Sequence, residues 1–340
     1  MKIITNTDNL TKYKIYIDVK KSVIDFLNKK NYLEVDLPIL SPSLIPESYL
    51  EVFETDFRYL SQKEKLYLTP SPELFLKRLL SYGIKDCFYL GKSFRNSDPS
   101  STLHSFEFMM LEFYKTKTDY WGIADELLEM LGYVSRHLSA DKSGAGKSKT
   151  ITYQGQKISL GQWEKISVAD AFEKYAGIKE KELFDQKAFI NKAEKKGYRS
   201  KGFGYEDLWS QIYTSEIEPN LGVNGYPTLI YDYPKEFAAL AKLNPDGKTS
   251  QRFEFYVAGI ELGDCYTELT DWKEQSIRFE QEDIKRKKAG KTGHTVDKGF
   301  IEALKYGLVD CSGVAVGFER LAMIFADARS IKEIKLIDIE

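Results

Sequence analysis

Two runs, CFYLGKSFR (87–95) and FEFMMLEFY (106–114), constrain this chain more than any other feature. Both read as strands, and only the polar stretch NSDPSSTLHS separates them, which predicts a long-looped antiparallel hairpin. Along FEFMMLEFYK the period of two puts Glu107, Met109, Leu111 and Phe113 on one face and Phe108, Met110, Glu112 and Tyr114 on the other. Each face mixes apolar groups with a carboxylate. Such a strand is either buried on both sides around one satisfied acid, or it floors a site in which Phe108 offers a stacking plane and Glu112 and Tyr114 offer polar handles. Arg95 ends the first run and His104 closes the loop, so two phosphate donors can face a ligand lying on the sheet. An aromatic content of 14%, with 22 Tyr and 20 Phe, agrees with a fold rich in strands.

The rest of the chain fits around that hairpin. Ile15, Val19, Val23, Phe26 and Leu27 recur at steps of three and four and predict an amphipathic helix over 14–30, leading into YLEVDLPIL. Another helix is expected after Pro72, carrying Leu74, Phe75 and Leu79. Residues 139–157, rich in Gly, Ser and Lys, read as a mobile loop or an exposed hairpin, and helical patterns return over about 167–191 and 206–215. Strand-like TLIYDY and RFEFYVAGIELGDCYTEL follow, then a helix from Ile277 ending in KRKKAGK, and finally GVAVGFERLAMIFA, a strand turning into a helix at Gly317. Long strands with helices between them but no regular alternation predict an antiparallel α+β domain over residues 1–340, with a less regular insertion at about 136–225.

Charge and cysteine usage narrow the function. Lys plus Arg total 49 against 51 acids, a net charge of -2, so no overall positive field holds a nucleic-acid backbone and any polyanion must be met locally. The three cysteines form no CxxC pair and leave an odd count, as expected of free thiols in a reducing compartment. With no apolar leader and no run approaching the roughly 20 apolar residues of a membrane span, a cytoplasmic protein without a membrane partner is expected.

Several segments could carry chemistry. GAGKS resembles a phosphate loop, but GxxxxGK[ST] requires glycine where the chain has Asp141, and polar RHLSADK precedes it instead of a buried strand. Glu254, Glu261, Asp264 and Glu268 lie in otherwise apolar and aromatic sequence and must be paired, either with magnesium or substrate ammonium groups or within a salt-bridge network. Glu319 and Arg320 interrupt fourteen mostly apolar residues, and the arginine there either pairs with a core acid or projects into a phosphate site. The basic run Lys285 to Lys288 reads as a solvated helix face.

Together these segments resemble the class II aminoacyl-tRNA synthetase catalytic domain, and within it the lysyl branch. NYLEVDLPIL is similar to its motif 1, FRNSDPSSTLHSFEFMMLEFY to motif 2 and GVAVGFERL to motif 3, in the right order and at suitable separations. TPSPELFLKRLL, EIEPNLG, RFEFYVAGIEL, ELTDWKEQSIRFEQE and DCSGVAVGFERL resemble the lysyl-synthetase paralogues that modify elongation factor P, over nearly the whole chain. Lysyl-tRNA synthetases place an anticodon-binding domain ahead of motif 1, which here begins within about forty residues of Met1. The expectation is therefore a protein acceptor, elongation factor P, and no tRNA.

The resemblance implies an antiparallel sheet flanked by helices, a homodimer through motif 1, ATP and Mg2+ as cofactors, and lysine or β-lysine as the activated amino acid. It implies that Arg95 holds the α-phosphate and the reacting carboxylate, that Phe108 and Arg320 sandwich the adenine, that Arg320 reaches the γ-phosphate, and that His104 touches the pyrophosphate. Asp98 and Glu261 join the ATP set, and Glu254 with Glu261 hold magnesium. Ser71, Glu73, Glu112, Tyr114, Asp264, Glu268 and Ala315 surround the amino acid, where several carboxylates suit a substrate with two ammonium groups. Ala315 stands where lysyl-tRNA synthetases carry glycine and the elongation factor P ligases carry alanine, which favours β-lysine. Departures from the pattern are Ser97 in place of a glutamate, for which Asp98 substitutes if the loop carries an insertion, Asp264 in place of asparagine and Cys265 in place of glycine. They leave open another acceptor (a tRNA, a carrier protein or a small amine) or a silent binding paralogue.

Overall fold

The computed structural model describes residues 1–96, 101–143 and 149–339. Its organising element is an eight-stranded sheet. Helix α1 (Leu10–Lys29) precedes a short strand β1 (Leu33–Glu34), and helix α2 (Glu73–Ser81) precedes the hairpin β2 (Cys87–Phe94) and β3 (Glu107–Thr116). Helix α3 (Tyr120–Ser143) leads to β4 (Glu164–Ser167), and β5 (Thr228–Pro234), β6 (Thr249–Val257) and β7 (Ile260–Thr267) follow. Helices α4 (Trp272–Lys288) and α5 (Lys298–Gly307), strand β8 (Cys311–Gly317) and helix α6 (Phe318–Phe325) close the domain. The strand order is β4-β5-β6-β7-β8-β3-β2-β1. The six central strands are antiparallel as expected, but both edge pairs, β4 with β5 and β1 with β2, run parallel.

The alternation in FEFMMLEFYK survives intact. Met109, Leu111 and Phe113 join Val314 and Val316 of β8 and Phe253 and Phe255 of β6 in the main core, which α1, α3 and α6 cover with Val23, Leu127 and Leu321. Burying this face removes apolar side chains from water at about 25 cal/mol per Å2, which makes the register of the sheet hard to slip. The opposite face carries Met110, Glu112 and Tyr114. One end of it is covered by a smaller core from α2, α4 and α5, including Leu76, Phe279 and Phe300.

Several boundaries differ from the expectations. Helix α1 starts at Leu10, ahead of residue 14, after a short turn at Thr7–Asn9. Helix α4 starts at Trp272 and not at Ile277, because the Asp271 carboxylate accepts the N–H groups of Lys273 and Glu274 and caps it there. The long helix α3 went unremarked in the sequence, although Ile123, Leu127, Leu131 and Val134 mark its buried stripe. Its last turn and the hairpin Thr150–Tyr153 with Gln156–Ser159 occupy much of the segment read as loop or hairpin, and GAGKS at 144–148 lies outside the described residues. Between β4 and β5, short helical turns gather Phe172, Phe189, Trp209 and Ile212 into a cluster of their own against Tyr233 and Tyr256 of the sheet. The three cysteines are free and buried. Among the described residues no helix is long and apolar enough to cross a membrane.

Candidate active site

Register pairing assembles the site. Cross-strand neighbours share a face, so Glu254 opposite Asp264, Asp264 opposite Ala315, and Ala315 opposite Glu112 form one row across four strands. The next row carries Arg252, Tyr266, Gly313 and Tyr114. Gly313 is required here, since a Cβ at this position would lie 2.3 Å from the Tyr114 ring. A cavity opens on these rows, bordered by Ser71, Glu73, Arg95, Glu112, Tyr114, Asp264 and Ala315 from the expected set. Glu47, Tyr49, Met110, Tyr266 and Val314 complete the lining with Gly313.

The closed end of the cavity is rich in carboxylates. Glu112 is buried and accepts hydrogen bonds from Ser71 Oγ and Tyr114 Oη, each at 2.9 Å. Ser71 Oγ also accepts the Glu73 N–H at the start of α2, so one hydroxyl ties the helix to the sheet. Lys77, one turn on from Glu73 and 2% exposed, bridges Glu73 and Glu268 at 2.5 Å each. Burial, followed by the repulsion of Glu73, pushes the Glu268 carboxyl up to about 8 even with Lys77 beside it. Glu112 is also raised, by burial and then by Glu73. Among the described residues Glu268 has no hydrogen-bond partner for either oxygen apart from that ion pair. Three acids against one lysine lack a full counter-charge, and the raised carboxyls would ionise when a cationic ligand supplied it.

Arg95 borders the cavity, and Arg320 lies outside its lining. The Arg95 guanidinium lies over the Phe108 ring at 5.3 Å, and its Nε is buried with no hydrogen-bond partner among the described residues. Arg320 Nε donates to the Leu103 carbonyl at 3.1 Å, and its Nη1 donates to the Glu261 carbonyl at 3.0 Å with the Glu261 carboxylate at 3.4 Å. Neighbouring Glu319 is buried and accepts the Met109 N–H, which fixes β3 where Phe108 emerges. His104 sits exposed on the loop, its Nδ1 3.1 Å from Ser101 Oγ. Asp98 and Ser97 lie outside the described residues.

The acids of β6 and β7 have protein partners, where magnesium or substrate was one expectation. Arg252 donates to Glu254 at 2.8 Å and lies 3.7 Å from Asp264, whose other contact is the Tyr266 hydroxyl. Glu254 also accepts from Tyr213 and Tyr256. The salt-bridge network anticipated as the alternative is thus present, with Lys77, Arg252 and Arg320 as its cations. Among the described residues no three acids, histidines or cysteines group closely enough to hold a metal. Glu261 remains partly exposed beside Glu254, and a pair of carboxylates is what a magnesium ion shared with phosphates and water requires.

Sequence reasoning missed Lys77, Arg252, Tyr266, Glu47 and Tyr49. The i,i+4 spacing of Glu73 and Lys77 was a usable signal, as was the i,i+2 spacing of Arg252 and Glu254 on one strand face. Glu47 and Tyr49 sit on an irregular segment with no periodicity to read. The basic run was misread in one respect: Arg286 is 3% exposed, not solvated, because its guanidinium meets backbone carbonyls of that irregular segment.

Comparison with known proteins agrees with this architecture. Residues 1–337 match the family described as tRNA synthetases class II (D, K and N). An elongation factor P–(R)-β-lysine ligase of Hamiltonella defensa is 33% identical over 327 residues, covering 95% of this chain and 93% of that protein. Lysine–tRNA ligases of Carboxydothermus hydrogenoformans and Moorella thermoacetica are each 32% identical, over 94% and 93% of this chain. The chain spans 64% and 62% of their lengths. It belongs to the class II tRNA synthetase family, whose members are ATP-dependent ligases.

Proposed function

We propose that this protein activates lysine or β-lysine with ATP as the aminoacyl-adenylate, releasing pyrophosphate, and transfers the acyl group to a lysine side chain of elongation factor P. The observation that carries the reading is that one cavity is bordered by Arg95 together with Glu73 and Glu112, with Glu268 joined to Glu73 through Lys77. Arg95 would bind the substrate carboxylate and the α-phosphate, stabilising the charge that develops as that carboxylate attacks phosphorus. Phe108 and Arg320 would hold the adenine between them, with Arg320 reaching the γ-phosphate and His104 and Asp98 meeting the rest of the nucleotide. Magnesium, held by Glu254 and Glu261, would neutralise phosphate charge. Glu73, Glu112, Tyr114, Asp264 and Glu268 would receive the ammonium groups.

The choice of β-lysine and of a protein acceptor is supported by Ala315, on the cavity floor between Asp264 and Glu112, and by the elongation factor P ligase among the relatives. Lysine–tRNA ligases of equal similarity support a second reading, charging of tRNA. A homodimer through the motif 1 region is part of the proposal, supported by the exposed apolar residues Leu33, Ile39 and Leu40 beside α1. Pyrophosphate exchange with single amino acids tests activation. Labelled acyl transfer to purified elongation factor P and to total tRNA then separates the acceptors: efficient charging of tRNA with no labelling of the factor overturns the first reading. A monomeric mass at micromolar concentration with full activity overturns the dimer.

A further inference from the structure

The insertion between β4 and β5 reaches the site through one side chain. Its helix Tyr205–Ile212 runs on into a turn at Tyr213–Ile217, and Trp209 and Tyr213 stack with ring centres 4.7 Å apart and planes 12° apart. Trp209 also packs on Phe237 at 4.2 Å, and the cluster around it is buried against Tyr233 of β5 and Tyr256 of β6. Tyr213 is itself buried, so close packing on both sides of its ring, and not solvent, aims its hydroxyl.

That hydroxyl meets Glu254. Tyr213 Oη donates to Glu254 Oε2 at 3.1 Å and lies 2.7 Å from Tyr233 Oη and 3.2 Å from Tyr256 Oη, while Tyr256 Oη donates to the same Glu254 oxygen at 3.0 Å. Each phenol has one proton to give. With Tyr213 and Tyr256 both donating to Oε2, Tyr233 donates to Tyr213, and every phenol proton of the group is placed. Arg252 Nη2 donates to the other oxygen, Oε1, at 2.8 Å. An ionised carboxylate offers about four acceptor sites, two on each oxygen. Both sites of Oε2 are therefore filled from the protein and one site of Oε1 remains. Glu254 can meet a cation through Oε1 alone, in an orientation that the phenols fix. A single carboxylate oxygen held at a set angle suits a hard cation that keeps water and phosphate as its other ligands.

We propose that Tyr213 is a positioning residue for the nucleotide-bound divalent cation, acting through Glu254, so that the insertion sets the affinity of the site for the metal form of ATP. The inference rests on the ligase reading above, in which Glu254 and Glu261 hold magnesium. It adds to that reading a residue from outside the cavity lining, which touches neither the metal nor the amino acid.

The test reads binding and not turnover. ATP binding to the whole protein, without amino acid, is measured by calorimetry in Mg2+ and again in EDTA. Tyr213→Phe keeps the ring and its stack and deletes only the hydroxyl. Its Kd for ATP in Mg2+ should rise about tenfold, the scale on which the outer partners of a metal ligand act, while the Kd in EDTA stays within about twofold of wild type. Lysine or β-lysine binding in EDTA should stay within about twofold as well, which a general loosening of the sheet would not allow. Adding Tyr213→Phe to Glu254→Gln should change the Mg2+ value no further, because both act on one interaction. If Tyr213→Phe does not fold, Tyr233→Phe, which removes the bond that orients the Tyr213 hydroxyl, should show the same split at about threefold. In whichever variant folds, a Kd in Mg2+ unchanged from wild type, or an equal rise in Mg2+ and in EDTA, overturns the inference. So does a wild type that binds ATP equally well in both. The ligase reading fails on a separate result, a wild-type protein that exchanges pyrophosphate with neither lysine isomer.

Discussion

The acid-rich and the arginine-bearing parts of the site solve the problem of an empty charged site in opposite ways. At the closed end Glu73 and Glu268 are met by Lys77 and Glu112 by neutral hydroxyls, all inside the protein, and burial still raises the Glu112 and Glu268 carboxyls because the charge balance is incomplete. Of the arginines, Arg320 is tethered by carbonyls, and Arg95 lies against an aromatic ring. With only the partly exposed Glu261 carboxylate 3.4 Å from Arg320, tethering mainly through neutral acceptors leaves much of the positive charge for phosphates. The contrast implies recognition by completed charge at one end and by oriented charge at the other.

The comparison can be broken most directly at Lys77. Lys77→Met leaves Glu73 and Glu268 without their cation and should lower unfolding free energy by about 3–5 kcal/mol, as breaking a buried ion pair does. Denaturant titration measures it, and a loss no larger than that of an exposed substitution would mean that the acids are already neutral. At the other end Arg95→Ala should keep the fold but slow amino-acid-dependent pyrophosphate exchange by roughly 10²-fold or more, the scale of a lost transition-state donor. Near-normal exchange in that variant removes Arg95 from the mechanism.

Acidity sharpens the contrast. Glu268 at about 8 and Glu47 at about 7 keep protons in the folded state that an unfolded carboxyl has lost. Stability from these groups therefore falls as pH rises from about 4.5 to 8, and a dicationic amino acid binds the deprotonated form. Its KM should fall about tenfold between about pH 6 and 8, while the ATP KM moves less. A flat or rising amino-acid KM over that range contradicts the assignment of the closed end. The smallest effect is expected at Ala315→Gly, where loss of one methyl on the cavity floor should shift the preference between lysine and β-lysine by about 1 kcal/mol, read by competition in pyrophosphate exchange. No shift would leave Ala315 as simple packing.

Much of this contrast was legible before any fold was known. The alternation in FEFMMLEFYK assigned Glu112, Tyr114 and Phe108 to one face, and GVAVGFERL marked a strand turning into a helix at Gly317, because both signals are local and repeat with the backbone's own period. The residues that joined the site unannounced follow a different rule. Lys77 reaches Glu268 across most of the chain, Arg252 reaches Asp264 through the pairing of β6 with β7, and Arg286 reaches Glu47 from a helix that reads as solvated.

What the sequence by itself determined is which side chains share a face and where strands give way to helices, since steric periodicity needs only neighbours along the chain. Only the tertiary structure decided which charge meets which. Burying a carboxylate or a carbonyl is tolerable only beside a partner, and the partner is whichever group sheet register and helix packing bring within about 3 Å, from any distance along the chain.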